Sequence, residues 1–123
     1  MVLVKTHIGK SKIHGLGVFA SEFIPKGTKI WELTPGIDLE WNLSSFMSLP
    51  NQVQLYIRHW GYQDPTTFNY RLSFDNDRFM NWSLTPNVVG SSIETFATKD
   101  IKQGEELTYP YTEDLLGDQN ANV

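Results

Sequence analysis

The sequence predicts a mostly β domain of small sheets with short helices. Three observations carry that expectation. Runs rich in β-branched and aromatic residues recur along the chain, and all are short. Only one segment shows a clear helical period. Residues 19–30 and 96–107 also share one pattern, with Phe, Ala, Ile, Gly and an aliphatic residue at the same offsets. Each copy reads as strand, glycine turn, strand. Hairpin-like repeats favour small sheets over a layout of alternating strands and helices.

Strands are expected at residues 2–4, 17–20, 29–33, 70–74, 88–89, 93–97 and 106–109. The helix is expected at residues 50–60, with Pro50 suited to its first position. Val53, Tyr56, Ile57 and Trp60 fall at i, i+3, i+4 and i+7 and mark one apolar face. A shorter helical turn is expected at residues 43–47, with Asn42 as its cap. A length of 123 residues points to one domain, over residues 1–113, followed by a polar, frayed tail over 114–123.

Composition narrows the function. With 40% hydrophobic and 13% aromatic residues, the chain has a globular balance. No run of 18 apolar residues exists to span a membrane. The first residues lack the basic and long apolar regions of a signal peptide, so a cytoplasmic protein, or one inside a host cell if viral, is expected. Cysteine is absent, which removes disulfides, thiolate metal sites and a cysteine nucleophile. The net charge of −4 argues against direct nucleic-acid binding. Residues 1–30 hold five Lys and one Glu, whereas residues 31–123 hold five basic and thirteen acidic residues. An acidic surface attracts basic partners, and it also serves plain solubility.

Phosphate-loop and serine-nucleophile motifs are missing. His7, His14 and His59 are scattered without metal-ligand spacing, so no metal site is expected. Three segments stand out. His14-Gly15-Leu16-Gly17 leads into a strand, where glycine serves either a turn with positive φ or close approach of a ligand. Residues 77–87 set large apolar side chains beside Asn81, Ser83, Thr85 and Asn87, whose polar groups can hold an irregular loop. Trp82 in that segment suits either the core or a stacking platform. Tyr109 and Tyr111 share one strand face, where they either pack or bind a cation and orient an amine.

In this order the three segments resemble the SET domain, the protein-lysine methyltransferase family. The matching stretches are His14-Gly15-Leu16-Gly17, Arg78-Phe79-Met80-Asn81-Trp82-Ser83-Leu84-Thr85-Pro86-Asn87 and Gly104-Glu105-Glu106-Leu107-Thr108-Tyr109-Pro110-Tyr111. The likeness spans about residues 5 to 112, and the compact form resembles small stand-alone bacterial and viral members. It implies a β-clip fold with a knot-like C-terminal crossing. It implies methyl transfer from S-adenosylmethionine to a lysine of a protein or peptide substrate, without a metal. His14, Gly15, Leu16, Gly17, Asn81 and Trp82 then hold the cofactor. Tyr111 falls on the catalytic tyrosine, and Tyr109 on the position that limits methyl number.

The chain departs from the family pattern at three places. Trp82 stands where the family has His, and Pro110 removes an N–H from the tyrosine segment. The family's cysteine-rich zinc motif is absent, so Leu115 and Leu116 of the tail, a homodimer or another partner is expected to complete the site. The alternative to an enzyme is a non-catalytic module that holds cofactor or peptide on the same scaffold.

Overall fold

The computed structural model describes residues 1–111. Their strands, in order, are β1 (Thr6–Lys10), β2 (Leu16–Ala20), β3 (Lys29–Glu32), β4 (Leu39–Trp41), β5 (Tyr62–Gln63), β6 (Tyr70–Leu72), β7 (Asn81–Ser83), β8 (Val88–Gly90), β9 (Glu94–Ala97) and β10 (Glu106–Pro110). Helices α1 (Leu43–Met47) and α2 (Asn51–Trp60) lie between β4 and β5, and a 3-10 turn covers Asn76–Phe79. The strands form three small sheets in the orders β1-β2-β10-β7, β3-β9-β8 and β4-β6-β5. The mostly β architecture therefore matches the sequence expectation.

The two repeated segments do not fold as separate hairpins. They pair with each other, antiparallel, along their length. Val18 and Phe19 lie opposite Leu107 and Glu106, and Lys29 lies opposite Phe96. At the centre Ile24 and Ile101 form a bridge. The Gly27 N–H donates to Ala97 O at 2.8 Å, and the equivalent Gly104 N–H donates to Ala20 O at 2.8 Å. Both glycines have positive φ, +86° and +92°, which a side chain would resist. Ala20, Ile24 and Ile30 of one copy and Ala97, Ile101 and Leu107 of the other are all buried in the main core. The repeat is thus a local two-fold arrangement, and its shared apolar positions are the two halves of one core.

Other expectations need correction. Of residues 2–4, only Val2 pairs, in a single bridge to Trp31. The first strand is Thr6–Lys10, whose Thr-His-Ile-Gly-Lys pattern has little apolar content and faces largely outward. Strands β4, β5 and β7 are two or three residues long and hold no β-branched residue, so they do not stand out in the sequence. Pro50 precedes the first residue of α2 rather than occupying it. On α2 only Ile57 is buried, beside Phe46 and Tyr70. Val53 and Tyr56 stay 41% and 44% exposed. The Phe46 and Tyr70 rings stack at 3.7 Å, and the Arg58 guanidinium lies 5.2 Å from each, so a cation covers part of the apolar surface. The cap of α1 is as expected: Asn42 Oδ1 accepts from the Ser45 N–H at 2.8 Å.

Among the described residues no helix is long and apolar enough to cross a membrane. The expected tail at 114–123, with Leu115 and Leu116, lies outside the described residues. Of the expected crossing, the described part is the side-by-side pairing of β7 and β10.

Candidate cofactor and substrate site

Strand β10 assembles the three sequence segments. It lies between β2, which follows the glycine turn, and β7, which carries Asn81 and Trp82. It runs parallel to β7, placing Thr108 opposite Asn81, Tyr109 opposite Trp82 and Pro110 opposite Ser83. Parallel neighbours of this kind need a long connection, which β8 and β9 supply. Asn87 fastens the arrangement. Its Nδ2 donates to Glu106 O and its Oδ1 accepts from the Thr108 N–H, both at 2.9 Å.

The glycine turn is tied down by side chains. Asn81 Nδ2 donates to His14 O at 3.0 Å, to Leu16 O at 2.9 Å and to Glu106 Oε2 at 3.1 Å. Ser11 Oγ donates to the Glu106 carboxylate, 2.9 Å from each oxygen, and accepts from the Ile13 N–H at 2.9 Å. Asn81 therefore shapes the turn through its amide. The two glycines differ in purpose. Gly15 has φ +48° and open space where a Cβ would project. Gly17 has no open space: a Cβ there would lie 2.4 Å from Glu106 Oε2. What approaches Gly17 is a carboxylate of this chain, which gives a different reason for the glycine from close approach of a ligand.

These parts border an open cavity of about 990 Å³. His14, Gly15 and Leu16 line it together with Asn81, Trp82 and Tyr111, while Gly17 does not. The Trp82 ring lies 5.8 Å from Tyr109 and 6.4 Å from Tyr111, tilted to both. It thus belongs to an aromatic wall rather than to the main core. Its ring partners are these two tyrosines, and Leu84, two residues further on, is 88% exposed. Tyr111 remains 41% exposed, next to Pro110 at the end of β10.

Tyr109 differs from Tyr111 in its surroundings. Its hydroxyl donates to Asp77 Oδ1, and the Ser73 hydroxyl donates to Asp77 Oδ2 at 2.8 Å. Burial pushes the Asp77 carboxyl up to about 6, against the pull of the Tyr109 and Ser73 hydroxyls. Burial, then the negative Asp77, also raise the Tyr109 phenol well above its ordinary range. Sequence reasoning assigned no role to Asp77, Ser73, Ser11 or Glu106. The Gly104-Glu105-Glu106-Leu107 motif offered a signal for Glu106, Asp77 stood only at the edge of the 77–87 segment, and Ser73 offered no signal. Among the described residues no three His, Asp or Glu side chains gather closely enough to hold a metal.

A histone-lysine N-methyltransferase of Schizosaccharomyces pombe, specific for lysine 4 of histone H3, is 31% identical over 125 residues. That match covers 85% of this chain and 12% of the relative, so the chain spans about an eighth of that protein. Among solved structures, a Plasmodium falciparum protein named as a candidate histone methyltransferase superposes with a TM-score of 0.62 at 20% identity. The superposition covers 91% of this chain and 96% of that one. The Polycomb Repressive Complex 2 of Chaetomium thermophilum, solved with S-adenosylmethionine, gives a TM-score of 0.67 at 20% identity, over 95% of this chain and 17% of that one. The SET domain pattern itself matches residues 15–112. With that span covering most of the chain, and with a fold shared by solved methyltransferase structures, this protein belongs to the SET domain family.

Proposed function

We propose that the chain transfers a methyl group from S-adenosylmethionine to a lysine side chain of a protein. One observation carries the reading: the glycine turn, Asn81 with Trp82, and Tyr109 with Tyr111 border a single cavity. The residues fit the cofactor. Gly15 leaves open space beside that cavity, and the aromatic faces of Trp82 and Tyr111 suit a cationic ligand. When bound, S-adenosylmethionine supplies an electrophilic methyl group on a positively charged sulfur.

The chain's own residues do the rest. His14, Gly15 and Leu16 present backbone to the cofactor, and Asn81 holds that backbone in place. Trp82 and the two tyrosines narrow the space in which an amine meets the methyl group, and alignment of this kind supplies much of the rate. The Tyr111 hydroxyl orients the amine, and Tyr109 limits how many methyl groups fit. The eight-charge acidic excess over residues 31–123 favours a basic substrate segment, such as a histone tail. A second copy of the chain or another partner completes the cavity wall.

Trp82 and Pro110 favour a second reading, in which the scaffold holds cofactor or peptide without turnover. Calorimetry with S-adenosylmethionine, followed by radiolabelled methyl transfer to lysine peptides, separates the two. Binding with transfer supports the enzyme, and binding without transfer supports the module. Absence of both overturns the assignment of this cavity.

A further inference from the structure

Asp77 is a buried acid with no role in the steps above. It is 8% exposed and borders the cavity. Its carboxylate accepts from the Ser73 and Tyr109 hydroxyls, and among the described residues no Lys, Arg or His forms an ion pair with it. The titratable groups around it are Tyr109 of β10, Tyr62 of β5, Asp75 and the N-terminal ammonium. A carboxylate buried without a cation is costly, and such a group suits a site where a cation arrives from outside.

We propose that Asp77 takes the proton from the incoming lysine ammonium through the Tyr109 hydroxyl. The proposal rests on the methyl-transfer reading. The ammonium gives one N–H proton to Tyr109 Oη as Tyr109 passes its own proton to Asp77 Oδ1. The amine is left neutral with a free lone pair, Tyr109 is again a phenol, and Asp77 is a neutral acid. The lone pair then forms the N–C bond to the methyl group while the C–S bond breaks and its electrons stay on sulfur. The proton on Asp77 returns to water between turnovers. A carboxyl that titrates near 6 is a usable acceptor at neutral pH, and burial beside a second positive charge lowers the amine's own pKa toward it. Tyr109 is thereby a proton carrier as well as a wall.

Asp77→Asn keeps an acceptor for Tyr109 and removes the base. With S-adenosylmethionine and a lysine peptide, kcat at pH 7 should fall by about a hundredfold, a common size for general-base loss. Cofactor affinity, read by calorimetry, should not change. The deficit should shrink toward pH 10, as solution hydroxide takes the proton instead. A deficit equal at every pH, or none, overturns the proposal. A second measurement does not need turnover. With sinefungin, an unreactive cofactor analogue that keeps a positive charge at the place of the sulfonium, and a bound lysine peptide at pH 7, the Asp77 carboxyl carbon should show the NMR shift of the protonated acid. With a norleucine peptide it should not. An ionised Asp77 beside a bound lysine peptide overturns the relay even if methyl transfer occurs. Protonation without turnover keeps the relay and removes the methyl-transfer reading, and a chain that binds neither ligand removes both.

Discussion

Ile24 and Ile101 exchange two backbone hydrogen bonds, each 2.8 Å, at equivalent places in the two repeated segments. Both side chains are fully buried, at 1% and 0% exposure. The pair sits where the two halves of the core cross, and it holds β2 and β10 in the register that builds the site. Truncation to Ala at either position should cost about 2–5 kcal/mol, because a core cannot close fully over the gap. The double variant should depart from additivity, since the residues are neighbours. Urea unfolding of the three variants measures this, and a loss under about 1 kcal/mol for either single variant would contradict the placement.

The two glycines of the turn should fail in different ways. Gly17→Ala puts a Cβ against Glu106 and forces that carboxylate, with Asn81 and Ser11, to shift. Overpacking of this kind typically costs about 1–3 kcal/mol. Gly15→Ala meets no atom and loses only the freedom to hold φ +48°, about 1–2 kcal/mol. Gly15→Val should also weaken S-adenosylmethionine binding, because its bulk enters the cavity. Thermal melts beside calorimetry separate stability from affinity. Weak binding by a fully stable Gly17 variant, with Gly15 variants binding normally, would reverse the assignment.

Stability should carry the mark of Asp77. Its folded pKa, about 6, is above the ordinary value of 3.8, so the folded chain binds this proton more tightly than the unfolded one. The stability it contributes is fully present below about pH 4 and is lost as pH rises through about 6. By 1.36 kcal/mol per pKa unit, the loss is about 3 kcal/mol. Asp77→Asn should flatten that stretch of the stability curve and raise the melting temperature at pH 7. A parent curve and a variant curve that run parallel from pH 4 to 6 would exclude a raised Asp77.

Tyr111 should matter to rate and not to folding. Its side chain is 41% exposed at the end of β10, and Tyr111→Phe removes one oxygen. Loss of one aligned donor commonly costs on the order of a hundredfold in kcat. Equal turnover by parent and variant, measured with saturating peptide and cofactor, would take Tyr111 out of the reaction.

The sequence was most informative where one physical demand governs a stretch. The apolar positions shared by residues 19–30 and 96–107 are core positions, so the repeat was visible before its pairing was. Which strands pair was hidden, because hydrophobic spacing is the same for a hairpin and for two segments that cross. Strand β1 was missed since pairing with β2, and not its own polarity pattern, makes it a strand. Of the candidate site, Asn81, Trp82, Tyr109 and Tyr111 were legible as unusual polar and aromatic residues in motif order. Asp77 was not, because a carboxylate reads as surface until burial and the Tyr109 bond are known. The purpose of Gly17 was likewise hidden in Glu106, 89 positions away in the chain.

Trp82 tests whether this site is adapted or decayed. Its indole lies 5.8 Å from the Tyr109 ring and 6.4 Å from the Tyr111 ring and borders the cavity, so a large, half-buried ring stands at the position where the resemblance implies an imidazole. Asn81, beside it on β7, keeps three hydrogen bonds, and Tyr109 keeps its bond to Asp77. Neighbours in such order favour adaptation. Trp82→His should then remove ring contact on both tyrosines and cost about 1 kcal/mol, allowing for partial exposure. The melting temperature should fall by a few degrees. Methyl transfer should stay level or drop, since Tyr111 loses the wall that steadies its ring. The opposite result has a clear signature, a tenfold or greater rise in turnover at unchanged melting temperature, about 1.4 kcal/mol off the barrier. That would mean the indole obstructs an otherwise intact site, and the natural chain would be a binding module on a SET scaffold.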